Sequence, residues 1–439
     1  MYRIFSLFLA LIVLAACGGD SPESPAPDAE ASAPAVEAPQ PGVGLVAFRG
    51  AAIWDGTGGA MKYNQSLLVR DGRIEGYAED IPEGAEVVDL GGKWMVPGIV
   101  NAHGHVSGYW AADDLTDVTE RVKGDLALYA RYGVTSVVSL GGEPPEALAL
   151  RAMNDDPSIS HARLRVAGSV VSGNTPEDAA AAALANIADG VDWIKLRVDD
   201  NLSTTAKMPW PAVQMVMNAA KAADIPVATH IFYMDDAARL LAMGTGLIAH
   251  SVRDRTVSDE FVQAMLDTGV CYVPTLVREV STFVYADRPA WFDDPFFLEE
   301  AKRSEIARVS QPDYMARIAA SPAAAGYKRA LVQAQDNLRI IIGSGVPVAF
   351  GTDSGPAGRF LGYFEHMEFD LMAGAGLTPR EILMSATGVA ADCVHLNDVG
   401  TLEPGKWADF VVLTENPTQD IKAMRSIDAV YIAGNAVAR

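Results

Sequence analysis

The sequence predicts an α/β protein, a (β/α)8 TIM-like barrel with a small β-sandwich domain formed from both ends of the chain. Three observations predict it. Apolar runs of about five residues recur through the centre of the chain, separated by Ala-rich helical text. Short stretches of alternating apolar and polar residues, punctuated by glycine, occupy both ends. Histidine and aspartate residues close several of the central runs, at the strand ends where α/β enzymes keep their chemistry.

Length and composition set the frame. The chain has 439 residues, 49% of them hydrophobic and 21% charged, which suffices for one large core plus a smaller domain. The net charge of −22 disfavours nucleic acid and anionic membrane surfaces as partners, because both require basic patches. A homo-oligomeric assembly is left open.

Residues 1–43 read as a targeting segment and tether, outside the fold. MYRIFSLFLALIVLAAC carries one arginine, an apolar stretch over 4–14 that is too short to span a bilayer, and small residues before Cys17. The ending LAAC resembles the bacterial lipoprotein signal, which implies a lipid anchor on Cys17 and a periplasm-facing location in the cell envelope. Gly18, rather than an aspartate, follows the cysteine, which favours the outer membrane over the inner. Residues 21–41 are rich in Pro, Ala, Glu and Ser and form a flexible tether.

Residues 44–97 supply the first part of the sandwich domain. VAFRGAAIWDG, SLLVRDGRIEGY and AEVVDLGGKWMV read as short strands with turns at Asp55-Gly56 and Asp71-Gly72. The same texture returns over 395–439, in GTLEPGKWADFVVL and AVYIAGNAV, and supplies the second part. Residues 98–394 form the barrel. Its strands are IVNAH (99–103), VTSVVSL (134–140), LRVAGSVV (164–171), WIKLRV (193–198), PVATH (226–230), LIAHS (247–251), CYVPTLV (271–277) and VPVAFGTDS (346–354). PEDAAAAALANIADG and WPAVQMVMNAAKAADI are examples of the helical text between them. An open doubly wound sheet is the alternative, but no glycine-rich phosphate loop follows the first strand. The stretch 281–335 is too long for one loop and reads as a helical insertion over the active-site mouth, carrying Trp291, Phe292, Phe296 and Phe297. Cys271 and Cys393 read as buried core thiols, not as a disulfide or a metal pair.

The richest stretch is VPGIVNAHGHV. Residues two apart on a strand share a face, so His103 and His105 can bind one metal ion together. His230 closes the fifth run, His250 the sixth and Asp353 the eighth. Each alone could be a core histidine or a helix cap; together they mark one site. His161 precedes the third run and belongs at the opposite end of the barrel, while His366 and His395 fall in helical text. Lys195 lies within WIKLRV, and if Ile194 and Leu196 pack on the helices it points into the barrel. A buried ammonium beside a cation is costly. A neutral amine that adds carbon dioxide becomes an anionic, bidentate carbamate that can bridge two metals. The alternative is a lysine that snorkels to solvent.

This set resembles the amidohydrolase superfamily in its binuclear, carboxylated-lysine form, over roughly residues 44–439. His103, His105, Lys195, His230, His250 and Asp353 match the family's metal positions in strand order, and GVAADCVHLNDVGTLEPGKWADFVVL resembles its C-terminal pattern. The chain looks most like the branch holding imidazolonepropionase-like proteins and prolidase-like dipeptidases. Those dipeptidases carry a Gly-Gly-His turn after the third strand, where this chain reads GSVVSGNTP. The resemblance implies two divalent metal ions, with zinc best suited to the donors, and carboxylated Lys195 as the bridging ligand. It implies hydrolysis of a C–N amide bond in dipeptides or N-acyl amino acids by a metal-bridging hydroxide, with Asp353 as general base. Substrate-contact candidates are Tyr233 and Arg253, with Tyr109 and Arg278 behind them; the position of Tyr233, three residues after His230, contacts the substrate carboxylate in related dipeptidases. The rival readings are a cyclic-amide hydrolase or deaminase of the same superfamily, and a non-catalytic metal-binding lipoprotein.

Overall fold

Alternation of apolar and polar residues turns both chain ends into β structure in the computed structural model, which describes residues 44–438. The targeting signal, Cys17 and the tether lie outside the described residues. One four-stranded sheet has the order Arg73–Ala78, Ser66–Arg70, Leu45–Arg49, Glu86–Asp89. Its first two strands form a hairpin through Asp71 and Gly72, with φ values of 50° and 76°, as a two-residue turn with both central residues left-handed requires. A five-stranded sheet has the order Asn435–Ala436, Ile427–Ile432, Phe410–Leu413, Trp94–Pro97, Ala52–Ile53. The two chain ends therefore pair directly, Val411 opposite Val96. Phe48, Ile53, Leu67, Met95, Phe410 and Val412 from both sheets share one buried cluster, with the Phe48 ring edge-on to Phe410 at 5.0 Å.

The central runs form parallel strands alternating with helices. Ile99–Gly104, Val134–Ser139 and Arg163–Val166 make one parallel sheet; Ile194–Arg197, Val227–His230, Leu247–Ala249 and Cys271–Val273 make another. Isolated parallel bridges join Val171 to Leu196, Tyr272 to Val348 and Gly104 to Ser354. Several expected strands are shorter than their apolar text: the sixth ends at Ala249, and the seventh ends at Val273 and gives way to the helix Leu276–Val280. The third ends at Val166, and 346–354 makes single bridges only. Along that last segment Thr352 and Asp353 both donate backbone N–H groups to the His103 carbonyl. Gly351 permits the approach, since a Cβ there would meet Val273 Cγ1 at 2.5 Å and His103 Cβ at 3.0 Å.

The helices begin and end where their caps dictate. Pro176–Asp189 starts behind Thr175, whose side chain accepts the Asp178 N–H, has proline in its first turn, and stops at Gly190 with φ 76°. Trp210–Ala222 and Asp259–Thr268 follow the same alternation. Residues 281–335 are helical, in short pieces up to Pro312–Ala319. The final helix, Pro322–Gly343, runs beyond the expected limit and leads directly into the last parallel segment. Trp291, Phe292 and Phe297 pack against Phe360 and Tyr363, so this segment grips the turn that follows Asp353. Among the described residues no helix is long and apolar enough to cross a membrane.

One expectation is overturned. Cys271 and Cys393 form a disulfide across a sequence separation of 122 residues, tying the strand Cys271–Val273 to the helix Gly388–Cys393. Both cysteines are indeed buried, but burial in apolar text says nothing about which partner folds alongside. A cross-link closing so long a loop restricts the unfolded chain, by about 2–4 kcal/mol. Reduction, or Cys393→Ser, should therefore lower the melting temperature measurably in a calorimetric scan, and an unchanged melting temperature would mean that the bond is absent in solution.

Candidate active site

Strand ends deliver the six singled-out residues to one place, with His250 and Asp353 just beyond them in left-handed backbone. His103 closes Ile99–Gly104 and His105 follows it, their ring centroids 5.6 Å apart. Asp353 places Oδ1 2.7 Å from His105 Nε2 and 3.7 Å from His103 Nε2. Lys195 lies in Ile194–Arg197, with Ile194 and Leu196 fully buried on the opposite side, and its Nζ donates to His103 Nε2 at 3.0 Å. The His250 ring lies 4.6 Å from that of His103 and 4.0 Å from that of His230. Side-chain donor atoms of His103, His250 and Asp353 all fall within 4.8 Å of one another.

Burial sets the charge state of the cluster. It pushes His103 and His250 well below their ordinary value and His230 to about 3, so these imidazoles are neutral at pH 7, the form that offers a lone pair to a metal. Burial also brings Lys195 down to about 7, against the pull of Asp353, leaving much of the amine neutral and nucleophilic. Burial opposes ionisation of Asp353, but the Arg359 guanidinium and the His105 hydrogen bond outweigh it and hold the carboxyl well below its usual range.

The tautomers test whether a cation fits. His105 Nδ1 lies 2.7 Å from the Gly141 carbonyl, an acceptor only, so that nitrogen carries the proton. In a neutral ring Nε2 is then a lone pair, yet it faces a carboxylate oxygen at 2.7 Å. Two acceptors at that distance require a proton or a cation between them. The Thr275 hydroxyl, 2.7 Å from His250 Nδ1, holds the orientation of that ring, and as a hydroxyl it can donate or accept there. Neutral imidazoles, one carboxylate and a neutral amine able to become a carbamate make a donor set suited to zinc and similar divalent ions.

Several partners escaped the sequence reading. Asp199, four residues after Lys195, accepts from His230 Nε2 at 3.0 Å, and its burial together with that hydrogen bond marks it as part of the cluster. Arg359 donates to Asp353 Oδ2 and to its carbonyl, while its Nε donates to Ser281 Oγ at the root of the helical segment. Glu143 accepts the backbone N–H groups of Ala167 and Gly168. An acidic residue shortly after a strand was the only available signal for Asp199 and Glu143, and nothing in the text around Arg359 marks it.

The substrate-contact candidates occupy different settings. Tyr233 is half-buried and donates its hydroxyl to Asp200 Oδ1 at 2.8 Å. Arg253 is 2% exposed, with Nε 3.1 Å from Glu279 Oε1 and Nη1 donating to the carbonyls of Ile231 and Ser251. Both line a cavity of about 550 Å³ with Leu202, Phe232 and Ala330. Arg278 is buried beside Glu279, its Nε 3.9 Å from Asp353 Oδ2. Tyr109 donates to Glu305 at 2.7 Å. His366 is buried against the Tyr132 carbonyl, and His395 lies in a turn, its ring stacked on Trp193, rather than in the expected helix.

Comparison with known proteins agrees with this geometry. A family model described as the amidohydrolase family matches residues 94–437. The chain is 25% identical over 427 residues to an imidazolonepropionase of Deinococcus deserti, covering 87% of this chain and 92% of that protein. A solved structure of a putative prolidase from Bifidobacterium longum matches with a TM-score of 0.72 at 25% identity, over 91% of this chain and 96% of the other. A Xaa-Pro dipeptidase solved with methionine in its active site shares the fold, with a TM-score of 0.70 at 22% identity, over 89% of this chain and 98% of the other.

Proposed function

The chain belongs to the amidohydrolase family, a hydrolase acting on carbon–nitrogen bonds, and we propose that it cleaves an amide bond in dipeptides or N-acyl amino acids. The observation that carries this is Lys195, an amine buried beside His103 and lowered to about 7, which in carboxylated form supplies the bridging anion of a two-metal site. His103, His105, His230, His250 and Asp353 complete the set. Two divalent cations bound there, zinc by the chemistry of the donors, would polarise the substrate carbonyl and bring the pKa of water to around 7.

The chain's own residues do the rest. Asp353 keeps Oδ1 toward the imidazoles and Oδ2 toward Arg359 and Arg278. Ionised and buried, it takes the proton of the attacking water and passes it to the leaving nitrogen. His105 and His250 are fixed by Gly141 and Thr275, so their free nitrogens need no reorientation. Tyr233 meets the substrate carboxylate from the cavity it lines, whose Phe232 and Leu202 wall suits an apolar side chain, while Arg253, buried on Glu279, supports that wall from behind. A hydrogen bond to a charged group is worth about 1.5–3 kcal/mol, so Tyr233→Phe should lower kcat/KM by roughly 10- to 150-fold for substrates with a free carboxylate and leave their amides unaffected. Equal losses on both would assign Tyr233 to packing. Because Arg253 is buried on Glu279 and on the Ile231 and Ser251 carbonyls, Arg253→Ala removes core hydrogen bonds and is the less informative variant.

The architecture we propose around the site is a (β/α)8 barrel over 98–394, closed by the bridges Val171–Leu196, Tyr272–Val348 and Gly104–Ser354. A β-sandwich over 44–97 and 395–439 flanks it, supported by the pairing of Val411 with Val96. We further propose an outer-membrane lipoprotein facing the periplasm. The Cys271–Cys393 disulfide supports export, since such bonds persist in oxidising compartments. Cys17→Ser should move the protein from the membrane to the soluble periplasmic fraction, or stall its processing; a variant still extracted only by detergent would point to an uncleaved anchor.

Likeness to an imidazolonepropionase favours a second reading, hydrolysis of a cyclic amide. One experiment separates the two: purified, metal-loaded enzyme against a panel of dipeptides, N-acyl amino acids and cyclic amides. Turnover of the linear amides is the expected result, and turnover confined to the cyclic ones would overturn it.

A further inference from the structure

Behind the site, the chain segments that carry His103, His105 and Asp353 converge on one carboxylate. Glu365, fully buried on the helix Tyr363–Gly374, accepts at Oε1 from Asn101 Nδ2 at 2.8 Å, Thr352 Oγ1 at 2.6 Å and Ser354 Oγ at 2.5 Å. Asn101 turns its other amide atom to the site strand, where Oδ1 accepts the His103 N–H at 3.0 Å. Thr352 and Ser354 flank Asp353 on either side. With the Ser354 hydroxyl donating to Glu365, the Tyr129 hydroxyl donates to Ser354 at 2.7 Å. The network also explains the glycine between the two histidines. A Cβ on Gly104 would sit 2.6 Å from the Tyr129 hydroxyl and 3.2 Å from Asn101 Nδ2.

A second observation shows what this clamp does. Asp353 has φ 57°, a left-handed conformation uncommon outside glycine that aspartate tolerates better than most residues. Its backbone anchor is the His103 carbonyl, which accepts the Asp353 N–H at 2.6 Å and the Thr352 N–H at 3.0 Å. Arg359 holds the Asp353 carbonyl and Oδ2 from the solvent side of the turn, and the two flanking side chains add a restraint from behind, both ending on Glu365. Among the described residues Glu365 makes no ion pair, so its burial is not explained by charge pairing, and a carboxylate buried without such a partner is a poor means of stabilising a core.

We propose that Glu365 is a positioning residue that holds the Asn101–His103 and Thr352–Ser354 segments together and thereby keeps Asp353 facing the histidines. This rests on the reading that these residues hold metal. The test uses the full chain carrying Glu365→Leu, which removes the acceptor, and Glu365→Gln, which keeps an accepting oxygen. Metal affinity is read by competition with a chromophoric chelator, alongside kcat and KM. Glu365→Leu should lose about 10- to 100-fold in metal affinity, with kcat falling and KM within about twofold of the original. Glu365→Gln should recover most of both. Should Glu365→Leu fail to fold, the double variant Thr352→Val with Ser354→Ala removes two of the three donors and should shift affinity and kcat in the same direction. Wild-type protein that binds metal tightly, with variants that bind it equally well and differ only in melting temperature, overturns the positioning role alone. Glu365→Gln as impaired as the leucine variant overturns it too. Wild-type protein that binds no metal refutes instead the reading of the site on which this inference rests.

Discussion

Lys195→Ala should lose its metal and about 10³-fold or more of its activity, roughly 4 kcal/mol of transition-state stabilisation at 1.36 kcal/mol per tenfold. The reason is the scarcity of anions at that point. Asp353 is engaged by His105 and Arg359, and Asp199 by His230 and, at 3.5 Å, Arg197. Neither can replace a carbamate at the amine nitrogen. Alanine leaves a gap the size of the lost side chain beside His103, so acetate or propionate at millimolar concentration should enter it and restore part of the activity. Two bound metals and full activity in Lys195→Ala would remove the bridging assignment. Rescue by short carboxylates and not by chloride or sulfate would locate the defect at the missing carboxylate.

Asp353→Asn should lower kcat by about 10² or more, the usual loss when a general base is removed. The amide keeps the shape of the side chain and an oxygen toward the imidazoles, so metal content should fall less than in Lys195→Ala. The arginine partners sharpen the expectation. Arg359 faces Oδ2, and with a neutral amide there its charge loses its anion, whereas Arg278 keeps Glu279 at 3.2 Å. The loss should therefore fall on kcat, with KM for carboxylate-bearing substrates unchanged or improved as the freed Arg359 guanidinium attracts the substrate anion. A near-normal kcat would mean that another group handles the proton.

How much of this was legible in the sequence depends on what each feature rests on. His103 and His105 sharing a face, Lys195 opposite Ile194 and Leu196, and histidines at the ends of Val227–His230 and Leu247–Ala249 all follow from strand alternation and run length, which are local. The meeting of the two chain ends followed from their common texture. Features set by distant contacts were not legible. The Cys271–Cys393 bond joins residues whose text only announces burial. Arg359 reaches Asp353 because the turn after it is packed under Phe292 and Trp291, an arrangement no spacing encodes. Arg253 lies inward on Glu279 rather than at an open rim because the loop after Leu247–Ala249 folds back to the Phe232 carbonyl. The eighth run reads as a strand, yet its single bridges reflect a close approach to His103 that Gly351 alone hints at.

Counting bound metal tests the proposed carbamate-bridged pair of ions. Wild-type protein loaded with zinc in the presence of bicarbonate, dialysed, and measured by plasma mass spectrometry against amino-acid analysis should hold two ions per chain, and Lys195→Ala prepared identically should hold one or none. One ion or none in the wild type, or two in both proteins, would contradict it.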